Sequence, residues 1–241
     1  MPTPDAVPRH VAIIPDGSRR WARERGLTVF QGHERGVRIF EEVAAHAADR
    51  GVQHLSLWGL SRDNFTKRSP REVVGLMRIF RREFRRLAGN QAIHERQTRI
   101  AAFGQWRERF PWPVRRAIEA AQAATAHYSR HFLNFFLAYN GTDDMLQAVR
   151  GIVAEARRVP QRARFTVSSA LLKQHLLTKD LPPVDLLIRT AGEPHLSAGF
   201  MMWDVADAQL YFTDKRWPEF TPAEFDDALR AYGQRQRRWG A

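Results

Sequence analysis

Six short apolar runs, each parted from the next by an amphipathic stretch of helical length, constrain this chain more than any other feature. The runs lie at 9–14, 53–58, 98–103, 132–138, 184–188 and 209–212 and are rich in Ile, Leu, Val and Phe. Helix-period segments fall at 34–49, 71–87, 113–127, 142–157, 167–176 and 221–236. Alternating β and α elements predict an α/β fold: a central six-stranded, mostly parallel sheet flanked by helices on both faces, with right-handed crossovers. Residues 160–164 and 180–183 read as loops. A chain of 241 residues is long enough for one such domain over 1–241, with 1–8 as a flexible N-terminus.

In open parallel sheets the ligand crevice lies beyond the carboxyl ends of the strands. Chemistry-bearing residues stand at those places. Asp16-Gly17-Ser18-Arg19-Arg20-Trp21 follows the first run, Ser61 to Arg68 the second, and Arg189 to Ser197 the fifth. Asp16 suits a divalent cation. Ser18, Arg19, Arg20 and the amides of a helix start just beyond suit phosphate oxygens. His33 suits a phosphate or a proton relay, or a helix cap. In the second stretch Ser69 reads as N-cap and Pro70 as N1, leaving Asn64, Phe65 and Arg68 free to meet a substrate. Arg189 ends a buried strand and needs an anion, either in a structural ion pair or from a ligand. Neither nucleotide-binding glycine motif is present.

Zero cysteines exclude disulfides, thiolate zinc sites and cysteine nucleophiles. No run approaches transmembrane length and the N-terminus has no apolar signal core, so the expected location is cytoplasmic. The net charge of +12 suits phosphorylated substrates or peripheral contact with an anionic membrane. Much of it falls in helical segments such as Arg78 to Arg86, where charge is ordinarily a solvated face. No nucleic-acid-binding signature accompanies it, so no nucleic-acid partner is expected.

Taken together, His10-Val-Ala-Ile-Ile-Pro-Asp-Gly, Gly32-His33, Ser61-x-x-Asn64-Phe65, Asp185-Leu-Leu-Ile-Arg-Thr-x-Gly-Glu193, Leu210-Tyr-Phe-Thr-Asp214, Trp217-Pro218 and Arg237-Arg238-Trp239-Gly240 resemble the cis-prenyltransferases, typified by undecaprenyl diphosphate synthase. The resemblance runs from His10 to Gly240. It implies that family's fold, a homodimer, Mg²⁺, an allylic prenyl diphosphate donor and isopentenyl diphosphate as acceptor. Asp16 would be the acid beside metal and donor. Gly17, Ser18, Arg19, Arg20, Trp21 and His33 would line the donor diphosphate. Asn64 would assist proton handling, by orienting rather than as a base. Ser61, Phe65, Arg68, Arg189, His195, Ser197, Arg238 and Gly240 would serve the acceptor.

The chain also departs from the family pattern. The usual Asp-Gly-Asn-Gly-Arg-Trp is here Asp-Gly-Ser18-Arg19-Arg-Trp, a form resembling unusual members such as cyclolavandulyl diphosphate synthase. Val29 and His195 replace arginines, a residue is inserted around Ala198-Gly199, and Gln209 replaces a metal-site glutamate. Glutamine is the weaker Mg²⁺ ligand, so Asp204 or Asp207, which would share a face on a helix, are candidate substitutes. Phe132, Phe135, Phe136 and Trp58 are either tunnel-blocking aromatics or ordinary core. The expectation is a short- or medium-chain Z-prenyl diphosphate synthase. The alternatives are irregular coupling, cyclisation or transfer to a non-isoprenoid acceptor, and a noncatalytic partner subunit.

Overall fold

The structure is a computed structural model and describes residues 7–160 and 164–234. Strands β1 (His10–Ile14), β2 (His54–Leu60), β3 (Thr98–Phe103), β4 (His131–Leu137), β5 (Leu186–Arg189) and β6 (Gln209–Phe212) form one sheet ordered β3-β4-β2-β1-β5-β6. Every pairing is parallel, so "mostly parallel" becomes entirely parallel. The helices among the described residues are α1 (Ser18–Glu24), α2 (Val29–Asp49), α3 (Arg62–Lys67), α4 (Pro70–Ala88), α5 (Gln91–Glu95), α6 (Trp106–Arg109), α7 (Trp112–Thr125), α8 (Gly141–Ala156), α9 (Ser169–His175) and α10 (Pro222–Gln234).

The six expected strands are all present: β3 and β6 have the expected bounds, and the other four are shifted by one or two residues at their ends. Four short helices, α1, α3, α5 and α6, have at most seven residues each and carry too little periodicity to be read from sequence. The start of the longer α4 was more legible. Ser69 accepts from the Glu72 amide and Pro70 opens α4, as its sequence predicts.

Side-chain alternation along the strands divides the interior in two. Val11, Ile13, Leu57, Leu133 and Phe135 face α2, α4, α7 and α10. Ala12, Ile14, Trp58 and Phe136 face the other way, against Phe200, Met201 and Val205. Trp58 stacks on Phe200 at 5.0 Å and donates to the Tyr139 carbonyl at 3.0 Å. Trp58 and Phe136 are therefore ordinary core of the second layer.

A polar chain crosses the sheet near its amino end. His10 Nδ1 donates to the Pro182 carbonyl at 2.9 Å, Ser56 donates to His10 Nε2 at 2.8 Å, and Asn134 donates to Ser56 at 3.1 Å. Burial lowers the His10 pKa, and burial together with His10 pushes His54 down to about 3. His54 stacks flat on Phe132 at 4.2 Å.

Candidate active site

β1 ends at Ile14, and Pro15-Asp16 carries the chain over the carboxyl edge of the sheet. Asp16 is held from four directions. Its amide donates to Thr190 Oγ1 at 2.8 Å, and that hydroxyl donates back to the Asp16 carbonyl at 2.9 Å. The Trp217 amide donates to the same carbonyl at 2.9 Å. Oδ1 accepts from the Gly17 amide at 2.7 Å, and Oδ2 accepts from Arg189 Nη2 at 3.1 Å. The carboxylate still keeps 44% of its side-chain surface open, so lone pairs remain for a ligand.

Gly17 makes the turn into α1 possible. Its φ is +94°, and an added Cβ would sit 2.8 Å from Ala191 Cβ. The turn aims Arg19 and Arg20 at the crevice. Arg20 bridges to the β5 loop, with Nη2 3.1 Å from the Ala191 carbonyl and 3.3 Å from Glu193. α1 spans only seven residues, so the positive charge here comes mainly from side chains rather than from a helix dipole.

A second charged cluster stands across the mouth, and sequence reasoning missed its centre. Glu72 Oε1 lies 3.0 Å from Arg68 Nη1, 3.2 Å from His33 Nε2 and 3.7 Å from Arg19 Nε. One carboxylate oxygen thus gathers three groups expected to meet phosphate. The hydrogen bond from His33, with Arg68 and Arg19 behind it, holds the Glu72 carboxyl below the usual glutamate range. The sequence signal was present but ambiguous, because Ser69-Pro-Arg-Glu72 also reads as a capping box.

Below the mouth an apolar cavity of about 540 Å³ runs between α2, α4 and the sheet. Val37, Phe40, Leu57, Leu76, Ile79 and Phe135 line it, and Asp16, Arg19, Arg20, His33 and Arg68 edge its open end. Glu193 and Trp217, which stand in the sequence motifs without a site role assigned to them, also reach it. At its far end Phe40, Glu41, Arg86 and Leu87 separate it from a second cavity of about 220 Å³ that these four also line. Arg86 pairs there with Glu41 and, at 3.0 Å, with Glu83.

Several expected site residues stand elsewhere. Ser61 is buried as the N-cap of α3, accepting from the Asn64 amide at 2.9 Å. Phe65 turns inward to pack on Phe110. Asn64 is exposed on α3, outside the cavity wall. Trp21 also lies off the cavity, with Arg25 stacked over its ring at 4.8 Å. Arg189 is 3% exposed and spends its guanidinium on Asp16 and the His195 carbonyl, because a charge at a buried strand end must be paired within the protein. His195 and Ser197 sit on the loop after β5, 3.2 Å apart. Arg238 and Gly240 lie outside the described residues.

The metal candidates other than Asp16 do not converge on it within this chain. Gln209 opens β6 beside Leu186, which pairs with Val11; Asp16 is therefore about 16 Å further along the strand direction. Asp207 is exposed in the turn before β6, and Asp204 is buried against Lys173 and Thr178. Residues 201–207 form turns, so Asp204 and Asp207 share no helical face. Among the described residues no three acids or histidines cluster as a metal cage. One open carboxylate amid cations still suits Mg²⁺, which takes one or two carboxylates and fills its shell with substrate phosphates and water.

A cationic mouth over a largely apolar cavity, at the carboxyl edge of a parallel sheet, is the geometry that suits an anionic head joined to a hydrocarbon chain. The prenyltransferase family model described for undecaprenyl diphosphate synthase matches residues 14–240, and the chain belongs to that family. An isoprenyl transferase of Thermus thermophilus is 41% identical over 237 residues, 97% of this chain and 89% of that protein. The Pyrococcus abyssi tritrans,polycis-undecaprenyl-diphosphate synthase (geranylgeranyl-diphosphate specific) is 36% identical over 97% of this chain and 87% of its own. Among solved structures, lavandulyl diphosphate synthase from Lavandula x intermedia, in complex with dimethylallyl diphosphate, superposes with a TM-score of 0.88. It is 35% identical, and the match covers 98% of this chain and 99% of that one. The protein is a prenyltransferase of the cis-prenyl diphosphate synthase type. No helix among its described residues is long and apolar enough to cross a membrane.

Proposed function

We propose that the enzyme transfers an allylic prenyl group to isopentenyl diphosphate, giving a short- or medium-chain Z-prenyl diphosphate. The observation that carries this reading is one cavity that joins a cationic mouth to largely apolar walls. The donor diphosphate sits among Arg19, Arg20, Arg68 and His33, and the hydrocarbon extends past Val37 and Phe40 toward Leu87. As the C1–O bond of the donor breaks, charge builds on the departing diphosphate. Fixed guanidiniums favour that state over the ground state. The acceptor's terminal alkene carbon, C4, bonds to C1 of the donor and leaves positive charge on the acceptor's C3; a proton then passes from the acceptor's C2 to the departing diphosphate, and the new double bond forms between C2 and C3. Mg²⁺ held by Asp16 and phosphate oxygens would supply further charge neutralisation.

Arg189, locked on Asp16, acts through that carboxylate. His195 and Ser197 are the more open groups for the acceptor's diphosphate. The family resemblance adds a homodimer and the Arg238–Gly240 end to that acceptor site.

A second reading is irregular coupling of two dimethylallyl units. The likeness to lavandulyl diphosphate synthase and the Arg19-Arg20 pair favour it. Pure protein with Mg²⁺ and dimethylallyl, geranyl or farnesyl diphosphate, each with and without labelled isopentenyl diphosphate, decides between the two. Label in a lengthened chain supports the first reading, and product formed without isopentenyl diphosphate supports the second. Asp16→Asn is expected to lower kcat at least roughly 10²-fold with little change in KM. Turnover equal to wild type would remove Asp16 from the mechanism.

A further inference from the structure

The outer face of α4 plays no part in the chemistry above. Arg71, Val74, Arg78, Arg81 and Arg85 fall on one exposed stripe of this helix. From Arg71 to Arg85 the stripe runs about 21 Å at 1.5 Å per residue. Its flank toward α2 is neutralised, since Arg82 pairs with Glu34 at 2.7 Å and Arg86 pairs with Glu41. Arg71, Arg78, Arg81 and Arg85 have no ion-pair partner among the described residues. The two acids of α4 are turned away from the stripe: Glu72 to the mouth and Glu83 to Arg82 and Arg86. Like charges three and four residues apart repel along the helix, a cost that an external anion would relieve.

The stripe is not purely ionic. Val74 is 50% exposed and Phe30 is 39% exposed. A Cβ on Gly75 would lie 3.1 Å from the Phe30 ring, so the missing side chain lets Phe30 rest on α4 beside Val74. The apolar spot lies one turn from Glu72, at the mouth of the cavity. The opposite face of the same helix, through Leu76, Ile79 and Phe80, lines that cavity.

We propose that this face of α4, with Phe30, docks on an anionic lipid bilayer. Arginines spread over this length exceed what one diphosphate can cover, whereas a layer of phosphate headgroups matches them. Exposed Val74 and Phe30 suit the headgroup–acyl boundary better than a nucleic-acid backbone. Docking would set the cavity mouth against lipid, where a hydrocarbon chain with a diphosphate head can pass without crossing water. That purpose rests on the prenyl-transfer reading; the surface itself does not.

The test is co-sedimentation of the full chain with vesicles of phosphatidylcholine alone or mixed with phosphatidylglycerol. Wild type is expected to bind only the mixed vesicles and to be released by salt. Each arginine replaced by glutamine at 71, 78, 81 and 85 should weaken binding roughly fivefold. Combined, the four should abolish measurable binding. Val74→Ser should weaken binding without changing its salt dependence. A control set of equal charge, Arg130, Arg150, Arg157 and Arg158 each to Gln, should bind as wild type. Equal loss in the control, binding to neutral vesicles alone, or retention of an RNA oligomer in place of vesicles would overturn the proposal. Turnover of water-soluble geranyl diphosphate, measured in parallel, should stay unchanged in the stripe variant. Failure of the activity reading is thereby seen separately from failure of docking.

Discussion

Glu72 shows at a single residue how a site can be made ready for an anion before one arrives. Its carboxylate holds Arg68, His33 and Arg19 together while subtracting from the positive field they offer. Glu72→Gln should therefore lower KM for the allylic diphosphate and lower kcat at the same time, since attraction rises while positioning is lost. Unchanged kinetics would reduce Glu72 to a cap. Because the folded pKa is depressed, Glu72 contributes stability above the ordinary value of 4.5 and loses it as pH falls through the lower folded value. His54 offers a second pH test. Held to about 3 against 6.5 unfolded, it makes stability fall as pH drops from 6.5 toward 3, because the unfolded chain takes up the proton first. His54→Phe, stacked on Phe132, should flatten that slope in denaturant titrations at successive pH values. Asp16, Arg19, Arg20 and Arg68 could be singled out because they follow strand ends, where charged residues have few other uses; His33 lies inside α2 and was singled out only through its motif. Glu72 was hidden by a pattern with two meanings, and Gln209 was assigned by resemblance alone; within this chain it lies at the start of β6, away from Asp16.

At the scale of elements, α4 and α2 decide how much hydrocarbon the cavity admits. Phe40, Glu41, Arg86 and Leu87 form a partition between two apolar spaces. Leu87→Ala should join them and shift products to longer chains, read by mass spectrometry, at a stability cost of roughly 2–3 kcal/mol for the truncated side chain. An unchanged product length would place the limit elsewhere, with Phe84 or Phe135 the next to test. The strand pattern predicted the sheet well because buried parallel strands leave a strong apolar signature. It could not decide among Phe132, Phe135, Phe136 and Trp58, since facing depends on register. The register puts Phe135 on the cavity side and Phe136 with Trp58 behind the sheet.

For the molecule as a whole, the scarcity of metal ligands has a consequence that solution measurements can reach. With no cage of three ligands among the described residues, a cation held by Asp16 depends on substrate for its remaining contacts. Chelation should abolish turnover and leave Tm unchanged, because a metal bound weakly to the free enzyme adds little to its stability. A Tm that falls with chelator would reveal a structural site. The sheet order adds a temporal consequence. β1 leaves the ribosome first but lies between β2 and β5, and Asp16 waits for Arg189, 173 residues later, before its carboxylate is held. Contacts of such sequence separation form late and slowly. A nascent chain arrested before β5 would carry a complete opening motif and an Asp16 without its Arg189 partner, so on the proposed reading prenyl transfer is expected to begin only once β5 is in place.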